Sequence, residues 1–388
     1  MRGSITRRGK ASWRLKFEAG RDASGKRQTR YITVRGKRAD AERELTRLLG
    51  DTDRGMFVEP SKTTVAQWLR DWLGGPSDPQ PHGLARKTTE RYRQLAEQQV
   101  IPHLGANTLQ KLRPAHVAAW HKRLLESGGK NGRPLSARTC GHAHRVLHRA
   151  LARAVHQEVL SRNVAAAVPP PKVDASEVEI LDASQIAEVL AKLRGHALHA
   201  IATAALATGM RRGELLALRL ASVDLETGIV KVERSLEETA EGLAFKAPKT
   251  AHGRRSISLP PNAVQALREH RRQVLETRMA LGLGRPDPDT LLFGMHDGSP
   301  MRPDQLSWLW RSACKSLKLP RVSFHALRHT HASALIAAGL DVVIVSRRLG
   351  HASPTTTLRV YAHLFQKDDS AAAGAIEAAM RQNNRDGL

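Results

Sequence analysis

The 388-residue sequence is poor in cysteine and tyrosine, with two and three of each, and aromatic residues make up only 4% of it. Cys140 and Cys314 lie far apart and neither belongs to a CxxC pair, which excludes a disulfide framework and a zinc site built on thiolates. No apolar run approaches the roughly 20 residues of a membrane span. The opening "MRGSITRRGKASWRLKF" is basic and has no apolar stretch of signal-peptide length. The expectation is a soluble protein of the reducing cytoplasm with no membrane partner. Acidic residues are scarce as well: 37 Asp and Glu face 62 Lys and Arg, a formal charge of +25. So large an excess points to a polyanionic partner, above all nucleic acid.

The excess is uneven. Residues 1–55 carry 16 basic and 7 acidic side chains, and residues 62–170 carry 17 and 6; from 171 onward the numbers are 29 and 23. The pattern of elements changes at the same places. "SWRLKFEAG" and "RQTRYITVR" alternate as strands around a turn, and "KRADAERELTRLLG" follows as a helix, giving a small basic β-β-α module over residues 1–58. Helical patterns fill 62–168, the last of them capped by Ser136. "VPPPK" then blocks helix continuation and serves as a linker. A third domain, 178–388, opens with Asp182 and Gln185 in a capping-box pattern and mixes helices with short strands. The fold class expected is mixed α/β and predominantly helical.

Four stretches of the third domain carry chemistry-bearing residues. "ATGMRRGELLALR" puts Arg211 and Arg212 at a helix start, where cations are disfavoured by the helix dipole unless an anion is to be bound. "FKAPKTAHGRRSISL" sets Lys246 and Lys249 beside an expected hairpin turn. "FHALRHTHASALIAAG" spaces His325 and Arg328 on one helix face, with Leu327, Ala334, Leu335 and Ala338 marking the buried side. "LGHASPTTTLRVYAHL" places Tyr361 ten residues after His351, on a helix begun by Ser353 and Pro354. A metal reading of His329 and His331 is disfavoured, since Thr330 separates them and no carboxylate lies nearby. Taken alone, Tyr361 is equally readable as core packing with Leu358, Ala362 and Phe365.

The order Arg, Lys, His-x-x-Arg, Gly-His, Tyr, with the local text around each, resembles the tyrosine recombinases of the phage-integrase type over residues 180–365. That resemblance implies an α+β catalytic domain, a helical core-binding domain of the SAM-like kind and a small arm-binding domain. It implies site-specific cleavage and rejoining of double-stranded DNA through a 3′-phosphotyrosyl intermediate, in the integration and excision of a phage or other mobile element. By the match, Tyr361 is the nucleophile and Arg211 and Arg328 bind the phosphate. His325 and His351 complete the pocket, and Lys249 protonates the leaving 5′-oxygen. Arg211 is preferred to Arg212 because it follows a Gly-Met pair; Lys249 is preferred to Lys246 because of "PKT"; Glu214 matches an acidic position that orients the arginine. No metal or nucleotide cofactor is implied. The implied partners are core-type and arm-type DNA sites, three further copies of the chain in a tetramer, and a directionality factor. The segment "SAAAGAIEAAMRQ" is a candidate for docking on a neighbouring copy. Competing readings are a type IB topoisomerase and a non-catalytic DNA-binding regulator.

Overall fold

Leu15 and Phe17 are buried while Lys16 between them faces water, the period-two pattern of a half-buried strand. In the computed structural model, which describes residues 3–21, 27–54, 57–74, 81–174, 179–248, 253–365, 373–374, 376–378 and 380, that strand is β2 (Ser12–Arg21). It is the middle of an antiparallel sheet, flanked by β1 (Gly3–Gly9) and β3 (Arg27–Arg35). Helix α1 (Arg38–Asp53) supplies Ala41 and Leu48 to the same small core. The order is therefore β-β-β-α, one strand more than expected. β1 carries a single apolar side chain, Ile5, so its own sequence shows no alternation; it becomes a strand by pairing with β2.

The chain divides into two compact units, Met1–Asp174 and Ala175–Leu388. The first holds the module just described and, in a separate apolar cluster, the helices α2 (Val65–Trp72), α3 (Arg86–Leu95), α4 (Ile101–Leu104), α5 (Pro114–Ser127) and α6 (Ala137–His156). Ser136 caps α6 by accepting the Thr139 amide at 3.2 Å. The half-buried Trp68 and buried Trp120 indoles donate to the carbonyls of Ala150 and Gln99, so large apolar rings pack inward without orphaning their N–H groups.

In the second unit, α7 (Ala183–Lys192) begins at the expected box, the Asp182 carboxylate accepting from the Gln185 amide at 2.8 Å. The next helix, α8 (His199–Thr208), is apolar on nearly every face, as a helix surrounded by others must be. Packed on it are α10 (Pro261–Ala280) and α12 (Ala326–Ala337). Between α8 and α10 come the single-turn α9 (Arg212–Leu215) and five short strands: β4 (Val223–Asp224), β5 (Ile229–Val232), β6 (Ser235–Thr239), β7 (Gly242–Lys246) and β8 (Arg255–Ser258). They form two small antiparallel sheets, β4-β5-β8 and β6-β7. Helices α11 (Pro303–Ser316), α13 (Val342–Leu349) and α14 (Pro354–Tyr361) complete the unit.

Two sequence expectations need correction. β7 and β8 are not the arms of one hairpin: β7 pairs with β6 and β8 with β5, so the stretch between them joins two sheets. The buried side of α12 is also rotated. Ala334 and Ala338 are exposed, and Leu327, Arg328, His331, Ala332 and Ile336 face inward, because α8 and α13 both cover that side and polar side chains find partners there. Most of "SAAAGAIEAAMRQ" lies outside the described residues, and so does Lys249. Among the described residues no helix is long and apolar enough to cross a membrane.

Candidate active site

Two glycines make the site possible. Gly209 ends α8 and Gly350 ends α13, both in the left-handed region at φ 63° and 65°. A Cβ on Gly209 would fall 2.5 Å from the His331 ring, and one on Gly350 would fall 2.7 Å from the Arg255 guanidinium. These turns expose carbonyls that the arginines use. Arg328, 4% exposed, donates to the carbonyls of Gly209 at 2.6 Å and Leu349 at 2.8 Å. Arg211 donates to the next carbonyl, that of Gly350, at 3.1 Å. Two guanidiniums thus meet at the C-terminus of α13, where the helix dipole favours cations, one residue before His351.

Arg211 is held from behind by Glu214, which is 4% exposed and not the surface carboxylate that its place on a short helix allows. Its oxygens accept from the Arg211 amide at 2.9 Å and the Arg211 Nη1 at 2.9 Å. Arg255 donates to the same carboxylate through Nη2 at 2.9 Å and Nη1 at 3.3 Å, and to the Arg348 carbonyl through Nε at 2.8 Å. Glu214 also closes the start of α9, so that single turn offers no free helix N-terminus to an anion. Burial raises the Glu214 carboxyl, but the hydrogen bonds and charges of Arg255 and Arg211 outweigh it and leave the carboxyl below its usual range.

Three guanidiniums against one carboxylate leave this pocket with surplus positive charge. The surplus registers on its other members. Burial and the adjacent Arg211 charge push Arg328 down to about 9, still charged at neutral pH. Burial, then Arg328, Arg211 and Arg255, push His351 down to about 4. His325 is likewise pushed to about 4 by burial, His329 and the nearby arginines, although as a residue it is exposed at the start of α12. Both imidazoles are therefore neutral hydrogen-bonding groups. His351 is fixed through Nδ1 to the Thr357 hydroxyl at 2.8 Å.

Tyr361 closes α14. It is 2% exposed, packed with Ala332, Ile336, Val345 and Leu349, and its hydroxyl lies 2.6 Å from His329 Nδ1. Burial pushes its phenol up to about 12, with Arg328 pulling in the opposite direction. Core packing and presence at the site are both true of this residue. Ser353 stands at the N-cap position of α14 without a side-chain capping bond, while Pro354 sits in the first turn as expected.

Arg211, Arg328, His325, His351 and Tyr361 are thus brought together. Arg212 is near enough for its charge to depress His325, but its guanidinium turns to Ser307 and Asp304 on α11. Lys246 pairs with Glu237 across the β6-β7 hairpin. His329 and His331 do not converge on a common point. His331 Nδ1 bonds the Leu206 carbonyl at 2.7 Å and its Nε2 accepts from Arg348 at 3.1 Å. Among the described residues no group of three or more metal-ligating side chains occurs. Sequence reasoning missed Arg255, Thr357 and the contact from His329. Arg255 shares its strand face with buried Ile257, and Thr357 stands one helical turn before Tyr361, so spacing held a faint signal for both.

A family model described as the phage integrase family matches residues 177–368. An integrase of Streptomyces ambofaciens is 28% identical over 368 residues, covering 90% of this chain and 88% of the relative. A XerC-like tyrosine recombinase of Caldanaerobacter subterraneus is 23% identical and covers 96% and 97%. Among solved structures, the Tn1549 transposon integrase in complex with transposon right end DNA is 23% identical with a TM-score of 0.65, over 81% of this chain and 99% of that one. A lambda integrase tetramer bound to a Holliday junction is 17% identical with a TM-score of 0.57, over 94% and 96%.

Proposed function

The chain belongs to the phage integrase family of tyrosine recombinases, and on that premise we propose that the pocket around Gly350 holds the scissile phosphate of a specific DNA site for attack by Tyr361. The observation that carries this reading is that Arg328 and Arg211 donate to the consecutive carbonyls of Leu349 and Gly350 at the end of α13, directly before His351, with Tyr361 on the helix that follows. The enzyme is a site-specific recombinase that cleaves and rejoins DNA strands. The guanidiniums of Arg211 and Arg328 donate to the non-bridging phosphate oxygens and stabilise the charge that develops there. His351 and His325, held neutral, add hydrogen bonds to the same phosphate. As the Tyr361 oxygen bonds to phosphorus, the bond to the 5′-oxygen breaks, and Lys249, which lies outside the described residues, protonates the leaving oxygen. The energy of the diester is kept in the 3′-phosphotyrosyl bond, so rejoining to a 5′-hydroxyl needs no nucleotide.

The remaining chain serves recognition. The proposed modules, 1–58, 62–168 and 178–388, follow the steps in charge along the sequence. The outer face of the N-terminal sheet carries Thr6, Arg14, Lys16, Tyr31 and Thr33, with the Arg14 guanidinium 4.4 Å from the Tyr31 ring centre. A basic, aromatic-bearing sheet face suits an arm-type DNA site. Assembly as a tetramer on two core sites, with a directionality factor choosing between integration and excision, completes the proposal. It places the protein where DNA is, in the cytoplasm of a host cell. The test is capture of a covalent protein–DNA adduct on a nicked core-site substrate. Wild-type protein should yield an adduct that maps to the peptide containing Tyr361, and Tyr361→Phe should yield none while binding the same DNA within a few fold. Cleavage by Tyr361→Phe would refute the assignment.

A further inference from the structure

The nucleophile reading leaves open where the phenolic proton goes. A buried hydroxyl has to donate to an acceptor, and among the described residues the structure gives Tyr361 Oη one hydrogen-bonding partner, His329 Nδ1 at 2.6 Å. We propose that His329 Nδ1 accepts the Tyr361 proton as the oxygen–phosphorus bond forms and returns it to the phenolate oxygen when the strand is rejoined. The inference rests on Tyr361 being the nucleophile.

His329 lies on α12 directly after Arg328. Its ring packs edge-on to that of His325, centres 4.8 Å apart, and tilted to the Tyr361 ring at 5.7 Å. The charged or titratable groups around it are His325, Arg328, His351 and Tyr361. Burial and the Arg328 charge hold its pKa below the ordinary histidine value, so the resting ring is neutral and one ring nitrogen carries a lone pair. The phenol's need for an acceptor assigns that lone pair to Nδ1 and the hydrogen to Nε2.

The step balances. The Oη–H bond breaks as Oη–P forms, and His329 becomes an imidazolium. The electron pair of the broken P–O bond stays on the 5′-oxygen, which takes a proton from the general acid. A further cation beside Arg328 and Arg211 is unfavourable on its own. It becomes tolerable when the pentacoordinate phosphorus carries its extra negative charge, so the proton moves only when the phosphate is in place. In rejoining, the 5′-hydroxyl attacks, the Oη–P bond breaks and the imidazolium proton goes to Oη.

The experiment compares single-turnover cleavage of a suicide core-site substrate by the full chain with His329→Asn and His329→Ala, each with ordinary tyrosine and with a ring-fluorinated, more acidic tyrosine at position 361. Asn places an amide near the position of Nδ1 and keeps a hydrogen bond while losing the proton acceptor. Both variants should cleave slower by about 10²-fold or more, the usual range for loss of a general base. Fluorination should recover at least about 10-fold in the variants and little in wild type, because a more acidic phenol needs less help. Overturning results are His329→Asn within threefold of wild type, or no recovery on fluorination, including no detectable cleavage with either tyrosine. The wild-type adduct, mapped by peptide, separates this failure from the other: an adduct away from Tyr361 sinks the nucleophile assignment itself.

Discussion

Replacing Glu214 by Gln changes one oxygen for an amide nitrogen and leaves the shape intact, yet it removes the one carboxylate between Arg211 and Arg255. The wild-type group accepts four hydrogen bonds at 2.9 to 3.3 Å while 4% exposed. In the variant at least one guanidinium faces an N–H group. Arg255, with a side chain 7% exposed, cannot turn to water for compensation, whereas Arg211, 42% exposed, can. Breaking a buried pair from one side typically costs about 3–5 kcal/mol. Partial retention of the bonds by the amide oxygen puts Glu214→Gln near the lower end, about 3 kcal/mol. Urea titration with pulse proteolysis measures this unit by unit, since each compact unit gives its own fragments. The double variant Glu214→Gln, Arg255→Gln should be less destabilised than the sum of its parts by about 1 kcal/mol or more, because the second change removes the stranded charge. Cleavage by Glu214→Gln should fall by about 10-fold or more, as Arg211 keeps its Gly350 bond but loses its rear support. The sign with pH follows. The folded carboxyl titrates below its unfolded value, so its stabilisation is present above the ordinary Glu pKa of about 4.5 and is lost as pH falls through the folded value. The Gln variant should lack that part of the acid response. A variant within about 0.5 kcal/mol of wild type, cleaving within twofold, would refute the reasoning.

Two further outcomes are expected. Arg211→Ala should slow cleavage by about 10²-fold or more, while Arg212→Ala, which removes contacts to Ser307 and Asp304, should stay within about 10-fold; single-turnover rates decide, and the reverse ranking would overturn the assignment. His331 is 6% exposed and pushed down to about 4, chiefly by burial. Its stabilisation is therefore complete above the unfolded histidine pKa of about 6.5 and is lost as pH falls toward 4, up to roughly 3 kcal/mol. His331→Gln should be less stable at pH 7 and should flatten the loss of the second unit's stability between pH 6.5 and 4.5, measured by urea midpoints.

Much of the site was legible as text. Arg211, His325, Arg328, His351 and Tyr361 were each marked by a local pattern, and the structure does gather them. Their neighbours were harder to read. Arg255 lies 41 residues from the carboxylate it clamps, so local spacing gives no direct account of that pairing. The metal reading of His329 and His331 is disfavoured by the sequence, but nothing local names the actual partner of His329, a phenol 32 positions away. Arg211 and Arg212 are adjacent and chemically identical, and their divergence is decided by what each meets: the Gly350 carbonyl for one, α11 for the other. The fold shows the same division. Capping at Asp182 and Ser136 depends on atoms within three residues and was read correctly, whereas strand β1 and the β7–β8 connection depend on which distant strand offers a free edge.

By itself the sequence determined the charge that calls for DNA, most of the helices with the caps at Ser136 and Asp182, and the identity and order of the groups proposed to bind a phosphate, because each of these is set by composition or by residues a few positions apart. Tertiary structure alone decided that Tyr361 rests buried against His329, that Glu214 lies between two arginines, and that carbonyls at the ends of α8 and α13 anchor the guanidiniums. Those features depend on burial and on groups brought together from far along the chain, and it is the loss of water together with those new neighbours that sets their charge states and hence their chemistry.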